Sequence, residues 1–153
     1  MKRVIALALL AASVVLVIVV TASAGRGAHH AGRTIAVVEH ATTDAVTNGT
    51  AGDDAGNILT FANDVFNAAD TQKVGSDQGS CVRTVVGKAW ECMWTTFLPQ
   101  GQITVEGPFY DASDSTVAIT GGTGIYRNVR GSMDLEYRNP AGTEFDFIFH
   151  VIG

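Results

Sequence analysis

The chain has 153 residues, 46% of them hydrophobic, with 17 Gly, 3 Pro, 2 Cys and a formal charge of −5. That length suits one domain with a single sizeable core, and two cysteines are too few for a disulfide-framed miniprotein or a four-thiolate zinc site. Fifteen acidic against ten basic residues, with no Lys/Arg stripe, argue against nucleic acid as a partner.

The apolar residues are unevenly spread. Lys2 and Arg3 precede an unbroken apolar or small run, Val4 to Val20, which ends in Thr21-Ala22-Ser23-Ala24. A basic start, an apolar stretch and a small-x-small ending are the parts of a secretory signal peptide, so residues 1–24 read as a signal helix removed after Ala24. The alternative is an uncleaved membrane anchor, since Val4–Val20 approaches the ~20 residues that span a bilayer. Cleavage leaves 129 residues, and loss of Lys2 and Arg3 moves the charge from −5 to −7. The domain is then expected outside the cytosol, secreted or extracytoplasmic, with no membrane contact after cleavage. Residues 25–33 (GRGAHHAGR) read as a flexible tether in which His29 and His30 lack a third metal ligand.

From residue 34 to 153 no long apolar period of 3.6 occurs. Short β-branched and aromatic runs alternate with Gly, Asn and Asp instead. They predict eight strands: Thr34–Thr42, Asn57–Ala62, Gln78–Val86, Ala89–Phe97, Gln102–Tyr110, Ser115–Thr120, Asn128–Arg138 and Thr143–Ile152. Asn63–Asp70 is expected to hold one helical turn, and Thr42–Gly56 is a Thr/Gly/Asp-rich loop. Leu98–Gly101 and Asn139–Gly142 are turns with Pro early and Gly late. Eight strands joined by short links predict an all-β, eight-stranded antiparallel up-and-down (calycin-like) barrel, which leaves no strand edge exposed.

Alternation separates inside from outside. Phe145, Phe147, Phe149 and Val151 oppose Glu144, Asp146 and His150; Met133, Leu135 and Tyr137 oppose Asp134, Glu136 and Arg138. The first set of each points inward, because burying a row of charges costs several kcal/mol per group. Ile103, Val105 and Phe109 face inward on the same logic. In the first strand Glu39 shares a face with Ile35 and Val37, which puts a carboxyl inside the barrel or at its rim beside a base such as Arg83. A buried Glu39 would have a raised pKa and serve as proton donor, acceptor or electrostatic guide.

Cys81 and Cys92 flank a hairpin that turns near Val86-Gly87, and a two- or four-residue loop sets them directly opposite one another. A disulfide is expected in an exported chain, and a free cavity thiol is the other reading. The same register sets Arg83 opposite Trp90 with Trp94 on that face. The opposite face carries Val82, Val86, Met93 and Phe97, which calls for a cover such as a second subunit or the N-terminal segment.

Several familiar motifs fail. Gly122-x-Gly124-x-x-Arg127 is followed by extended residues rather than a helix. There is no phosphate-loop Lys, no Gly-x-Ser-x-Gly elbow and no HExxH. Asn48-Gly49-Thr50 marks a surface turn, and Asp53, Asp54, Asp111 and Asp114 read as solvated loop acids. No metal and no cofactor are expected.

Gly101–Asp111 (GQITVEGPFYD) followed by Ser115–Tyr126 (STVAITGGTGIY) resembles the allene oxide cyclase family. Gly56–Asn63 (GNILTFAN), Val74-Gly75 with Cys81-Val82, and Arg130-Gly131-Ser-Met-Asp-Leu are similar to that family as well. Gly-Gly-Thr-Gly-x-[FY]-x-x-x-Arg-Gly is equally similar to the dirigent proteins. The resemblance covers roughly residues 34–152 and implies an apolar cavity, often in a trimer. It also implies ring closure of an unsaturated epoxide through a delocalised cation, with the pocket fixing stereochemistry. By position, Glu39 is the carboxylate that balances developing positive charge, Asn63 belongs to a water site, and Cys81 lines the pocket. The aromatic and basic pocket candidates are Phe109, Tyr110, Tyr126, Trp94, Phe147 and Arg83. Two departures stand out: no proline precedes Pro99 to supply the family's Ser-Pro turn, and Thr60 stands where the plant motif has proline. A plant-type substrate is therefore not expected.

The expected function is an exported barrel that binds a small apolar ligand, as a cyclase-type isomerase using Glu39. A dirigent-like guide without acid/base chemistry, or a secreted barrel with a filled core, are the other readings. A homo-oligomer, trimer or dimer, is a further expectation.

Overall fold

The computed structural model describes residues 32–49 and 51–152. The signal segment, most of the tether and the His29-His30 pair lie outside them. The strands are β1 (Arg33–His40), β2 (Ala45–Asn48), β3 (Ile58–Phe61), β4 (Asp64–Asn67), β5 (Lys73–Val85), β6 (Ala89–Leu98), β7 (Gly101–Tyr110), β8 (Ser115–Gly122), β9 (Arg130–Tyr137) and β10 (Glu144–Ile152). β3 and β4 both pair with β5, at Ile58↔Val82 and Asp64↔Ser76, so they are two halves of one interrupted strand. Counted so, each strand pairs antiparallel with its neighbours in sequence, and β10–β1 pairing closes an eight-stranded up-and-down barrel.

The chain departs from the expected elements between Thr42 and Gln78. Asn63–Asp70 holds strand β4 and not a helical turn: β4 pairs with β1 on one side and β5 on the other, and that ladder outweighs the weak local helix preference. Asn67 then turns the chain, its carbonyl accepting from Asp70 N and its side-chain oxygen from Thr71 N. β5 starts at Lys73, five residues before Gln78, because the Gly/Ser-rich run that reads locally as a loop pairs on both edges. Within the expected loop Thr42–Gly56 lies β2, which pairs with β3 outside the barrel wall.

The remaining alternation holds. Phe145, Phe147, Phe149 and Val151 are buried, as are Met133, Leu135, Ile103 and Val105. Inward residues of β7 to β10 fill one end of the barrel, where Tyr126 and Val129 from the β8–β9 connection also pack. That connection, Gly121-Gly122-Thr123-Gly124, runs against the β6–β7 turn. Gly124 has φ +61°, and a Cβ there would collide with the backbone oxygen of Gln100. The Gly-rich motif thus brings two backbones together and opens a single 3-10 turn, Gly124–Tyr126.

Cys81 and Cys92 are cross-strand partners and form a disulfide, with Cα atoms 4.0 Å apart. Such a bond accords with an oxidising, extracytoplasmic setting. Among the described residues no helix is long and apolar enough to cross a membrane.

Phe149, with no exposed surface, anchors the filled end. Phe149→Ala should lower unfolding free energy by about 3–5 kcal/mol in denaturant titration, because tight packing there leaves little room to collapse around the void.

Candidate functional site

The other end of the barrel is not filled. A half-open cavity of about 40 Å³ lies between the first residues of β10, the last of β1 and the middle of β5 and β6. That is room for about three waters, since one needs roughly 10–15 Å³. Phe61, Trp94, Phe109, Phe145 and Phe147 supply aromatic walls, and Leu59, Leu135 and the disulfide supply further apolar surface. Trp94 packs on Phe147 and Phe61 at ring-centroid distances of 5.8 and 6.4 Å. Its cross-strand partner is Gly79, where a Cβ would come within 2.4 Å of the Trp94 Cβ, so a side chain at 79 would displace the Trp94 backbone and the wall with it.

Into this apolar space β1 turns Glu39, only 5% exposed. The period-2 alternation that buries Val37 requires this orientation. Among the described residues no cation pairs with Glu39. Its oxygen Oε1 accepts from Asn63 Nδ2 at 2.8 Å. The same Nδ2 donates to Asp44 Oδ1 at 2.8 Å. Asn63 Oδ1 accepts three bonds of 3.0 Å, from Thr42 N, Thr43 N and Thr43 Oγ1. These bonds tie the loop between β1 and β2 to Asn63.

Asn63 also joins the barrel ladder: its backbone N donates to Asp77 O at 3.0 Å and its carbonyl accepts from Asp77 N at 2.9 Å. Asp77 is 1% exposed. Its Oδ1 accepts a longer bond from Asn63 N, 3.3 Å, while no N–H or hydroxyl group reaches Oδ2. Glu39 and Asp77 face each other as a carboxyl pair. Desolvation, then the charge of Asp77, pushes the Glu39 pKa well above the usual carboxylate range, against the lowering bond from Asn63. Desolvation also pushes Asp77 up, to about 7, opposed by its bond with Glu39. Two buried carboxyls this close cannot both ionise cheaply, so near neutral pH they retain a proton.

The expected residues divide by position. Glu39, Trp94, Phe109 and Phe147 line the cavity, and Asn63 holds Glu39 from behind. Tyr110, Tyr126 and Arg83 are not in its lining. Tyr110 alternates outward after Phe109, its carbonyl accepting from Tyr137 Oη at 2.9 Å. Tyr126 packs in the filled end under Arg33, 5.2 Å from its ring centroid. Arg83 sits at the rim, 3.9 Å over the Trp90 ring, with Nη1 donating to both Asp111 oxygens at 2.8 and 2.7 Å and Nε 2.6 Å from Asp53. Asp53 and Asp111 are therefore partners of Arg83 and not merely solvated loop acids, and Glu39 is not paired with Arg83.

Asp77 and Asp44 escaped sequence reasoning. Extending the inward parity of Cys81 and Gly79 back two residues reaches Asp77, a signal the Gly/Ser composition obscured. Among the described residues, His40, Asp70 and Glu144 bring three metal-ligating atoms within 4.8 Å of one another. They lie on the outer face of β1 and β10, where His40 Nε2 and Asp70 Oδ1 already meet at 2.8 Å.

Protons on the pair link stability to pH. The folded pKa values exceed the unfolded ones, so the folded state binds more protons, and stability present below about pH 4 is lost as pH rises through about 7. The melting temperature should fall between pH 5 and 8, with a free-energy slope of up to about 1 kcal/mol per pH unit from this pair. Asp77→Asn should flatten that slope in calorimetric scans. A variant with the full wild-type slope would show that the pair does not hold the proton.

The chain is 26% identical to a pyocyanin demethylase of known structure, with a TM-score of 0.64 over 76% of this chain and 100% of that one. A pterocarpan synthase dirigent protein is 19% identical, with a TM-score of 0.61 over 80% and 97%. An exo-specific intermolecular Diels-Alderase is 14% identical, with a TM-score of 0.61 over 80% and 98%. Both of these share the fold. The family model for allene oxide cyclase matches residues 38–141, from the last turnward residues of β1 through the β9–β10 turn, and the chain belongs to the allene oxide cyclase family.

Proposed function

We propose that this chain is an exported barrel that binds a small, apolar, unsaturated molecule and isomerises it, with the Glu39–Asp77 pair moving or balancing charge. The observation that carries this reading is a buried, proton-sharing carboxyl pair opening onto an aromatic cavity, with Asn63 fixing the Glu39 oxygen. A raised carboxyl pKa near the working pH is what general acid/base chemistry requires, and it contributes typically 10²–10⁴-fold. The aromatic walls supply shape, and their π faces tolerate positive charge as it develops in a ring-closing intermediate. A cavity larger than one water favours the ligand readings over a filled core. Likeness to a demethylase named for pyocyanin supports small-molecule chemistry in such a barrel. The apolar segment at Val4–Val20 and the disulfide support export.

A dirigent-like guide is favoured by one feature of its own: the walls are almost wholly apolar and their rings interlock, which suits holding a reactive intermediate without touching its protons.

The two readings separate on one substrate. A short-chain allene oxide generated in situ closes spontaneously to a racemic cyclopentenone, because water offers no chiral template. Wild-type protein should enrich one enantiomer, read by chiral chromatography. Glu39→Gln should slow protein-directed closure about 10²-fold or more and return the product towards racemic. Undiminished enrichment by Glu39→Gln would instead establish the guide. A racemic product from the wild type would exclude this substrate class.

A further inference from the structure

The cavity has a one-sided charge. Glu39 and Asp44 are its only ionisable walls, and Asp77 stands directly behind Glu39. Among the described residues none of the three takes part in an ion pair, and Arg83 is already held by Asp53 and Asp111. Asp64, the other acid acting on Asp77, is paired at the surface with Lys73. The groups facing the pair from β1, β4, β5 and the β1–β2 loop are thus all carboxyl or amide.

A neutral apolar ligand leaves this arrangement uncompensated. It would strip water from the exposed Asp44 carboxylate and return no charge or donor, at the cost of desolvating an anion. An anionic ligand would be worse placed. A cation meets the reverse: carboxylates on one side and the faces of Phe and Trp rings on the others, the surroundings that recognise ammonium heads. Asp77 Oδ2 is buried and reached by no N–H or hydroxyl group, so the proton held with Glu39 is what meets it, and a cation can take that place. The cavity admits a group of only a few heavy atoms, a head and not a whole molecule.

We propose that the cavity is a receptor for the positively charged nitrogen head of a small apolar molecule, such as a quaternary ammonium or N-alkylated ring. The head displaces the proton that Glu39 and Asp77 share. This rests on the cavity being the ligand site, as proposed above, and names the class of ligand it takes. The proton leaves to solvent through the open side near Asp44, so each bound cation is balanced by the proton released.

Benzyltrimethylammonium and its neutral isostere neopentylbenzene have the same shape and differ in charge, and phenylacetate reverses the charge. Binding to the full mature chain is read by the emission of the cavity residue Trp94 and by proton release in calorimetry at two buffer ionisation enthalpies. Benzyltrimethylammonium should bind at least about tenfold more tightly than neopentylbenzene at pH 8. Its affinity should fall as the pH is lowered, by up to about tenfold per pH unit, as one proton is taken back. Asp44→Asn, a change at an exposed position, should weaken the cation and not the isostere; Glu39→Gln should abolish the pH dependence. Equal or tighter binding of the isostere or of phenylacetate would overturn the charge inference and leave the cavity as the site. Binding of none of the three would overturn both.

Discussion

One amide organises the site. Asn63 sits where the strand opposite β5 is interrupted, and every polar atom it has is used: the side-chain oxygen by the Thr42–Thr43 backbone and hydroxyl, the side-chain nitrogen by Glu39 and Asp44, the backbone by Asp77. A buried carboxyl in an apolar barrel costs several kcal/mol unless its oxygens are met and its charge is shared. Asn63 supplies the first, and the proton held with Asp77 supplies the second. The β1–β2 loop has no proline to stiffen it, and the three bonds to Asn63 Oδ1 do that work. Remove the amide and three segments lose their common partner, not one.

The barrel divides its apolar content accordingly. Phe149, Met133, Ile103 and Tyr126 are buried together at one end, where the apolar packing stabilises the fold. At the other end Trp94 crosses over Gly79, and the disulfide takes the place of two larger side chains, so the walls stay thin enough for a cavity. Arg83 completes the rim: stacked on Trp90, it ties the Asp53 loop to the β7–β8 turn across the barrel mouth. Its role there is to shape the opening, since its charge is spent on Asp53 and Asp111.

Period-2 patterns made much of this legible from residues alone. Strict alternation turned Phe145, Phe147 and Phe149 inward and carried Glu39 with Val37; equal spacing from the turn set Cys81 against Cys92. What resisted reading was the stretch where pairing overrides local preference. Asn63–Asp70 carries Asn, Asp and Ala that suit a capped turn, yet β1 and β5 both offer it unpaired edges. Val74–Ser80 is nearly all small or polar, and its strand character comes only from its neighbours. Asp77 lies in that stretch, so the second half of the carboxyl pair was hidden by composition. Asp44 was hidden too, because only the long-range bond from Asn63 brings it to the cavity.

Electrostatics then does more than fold to define what such a barrel accepts. Chains of the same architecture are named for a demethylase, for pterocarpan synthesis and for a cycloaddition, so the architecture is compatible with several chemistries. Shape in this chain is supplied by aromatic rings that would suit any of them. Beside them stand three carboxyls, Glu39, Asp44 and Asp77, none of which has an ion-pair partner among the described residues. Negative charge beside aromatic rings in a partly enclosed cavity attracts a cation more strongly than the same charge in open water, because the lower dielectric strengthens attraction. On the proposed reading, positive charge is what these carboxyls favour, whether it arrives with the ligand or develops during a reaction. On that reading the carboxyls that are costly to bury are also the ones that confer specificity.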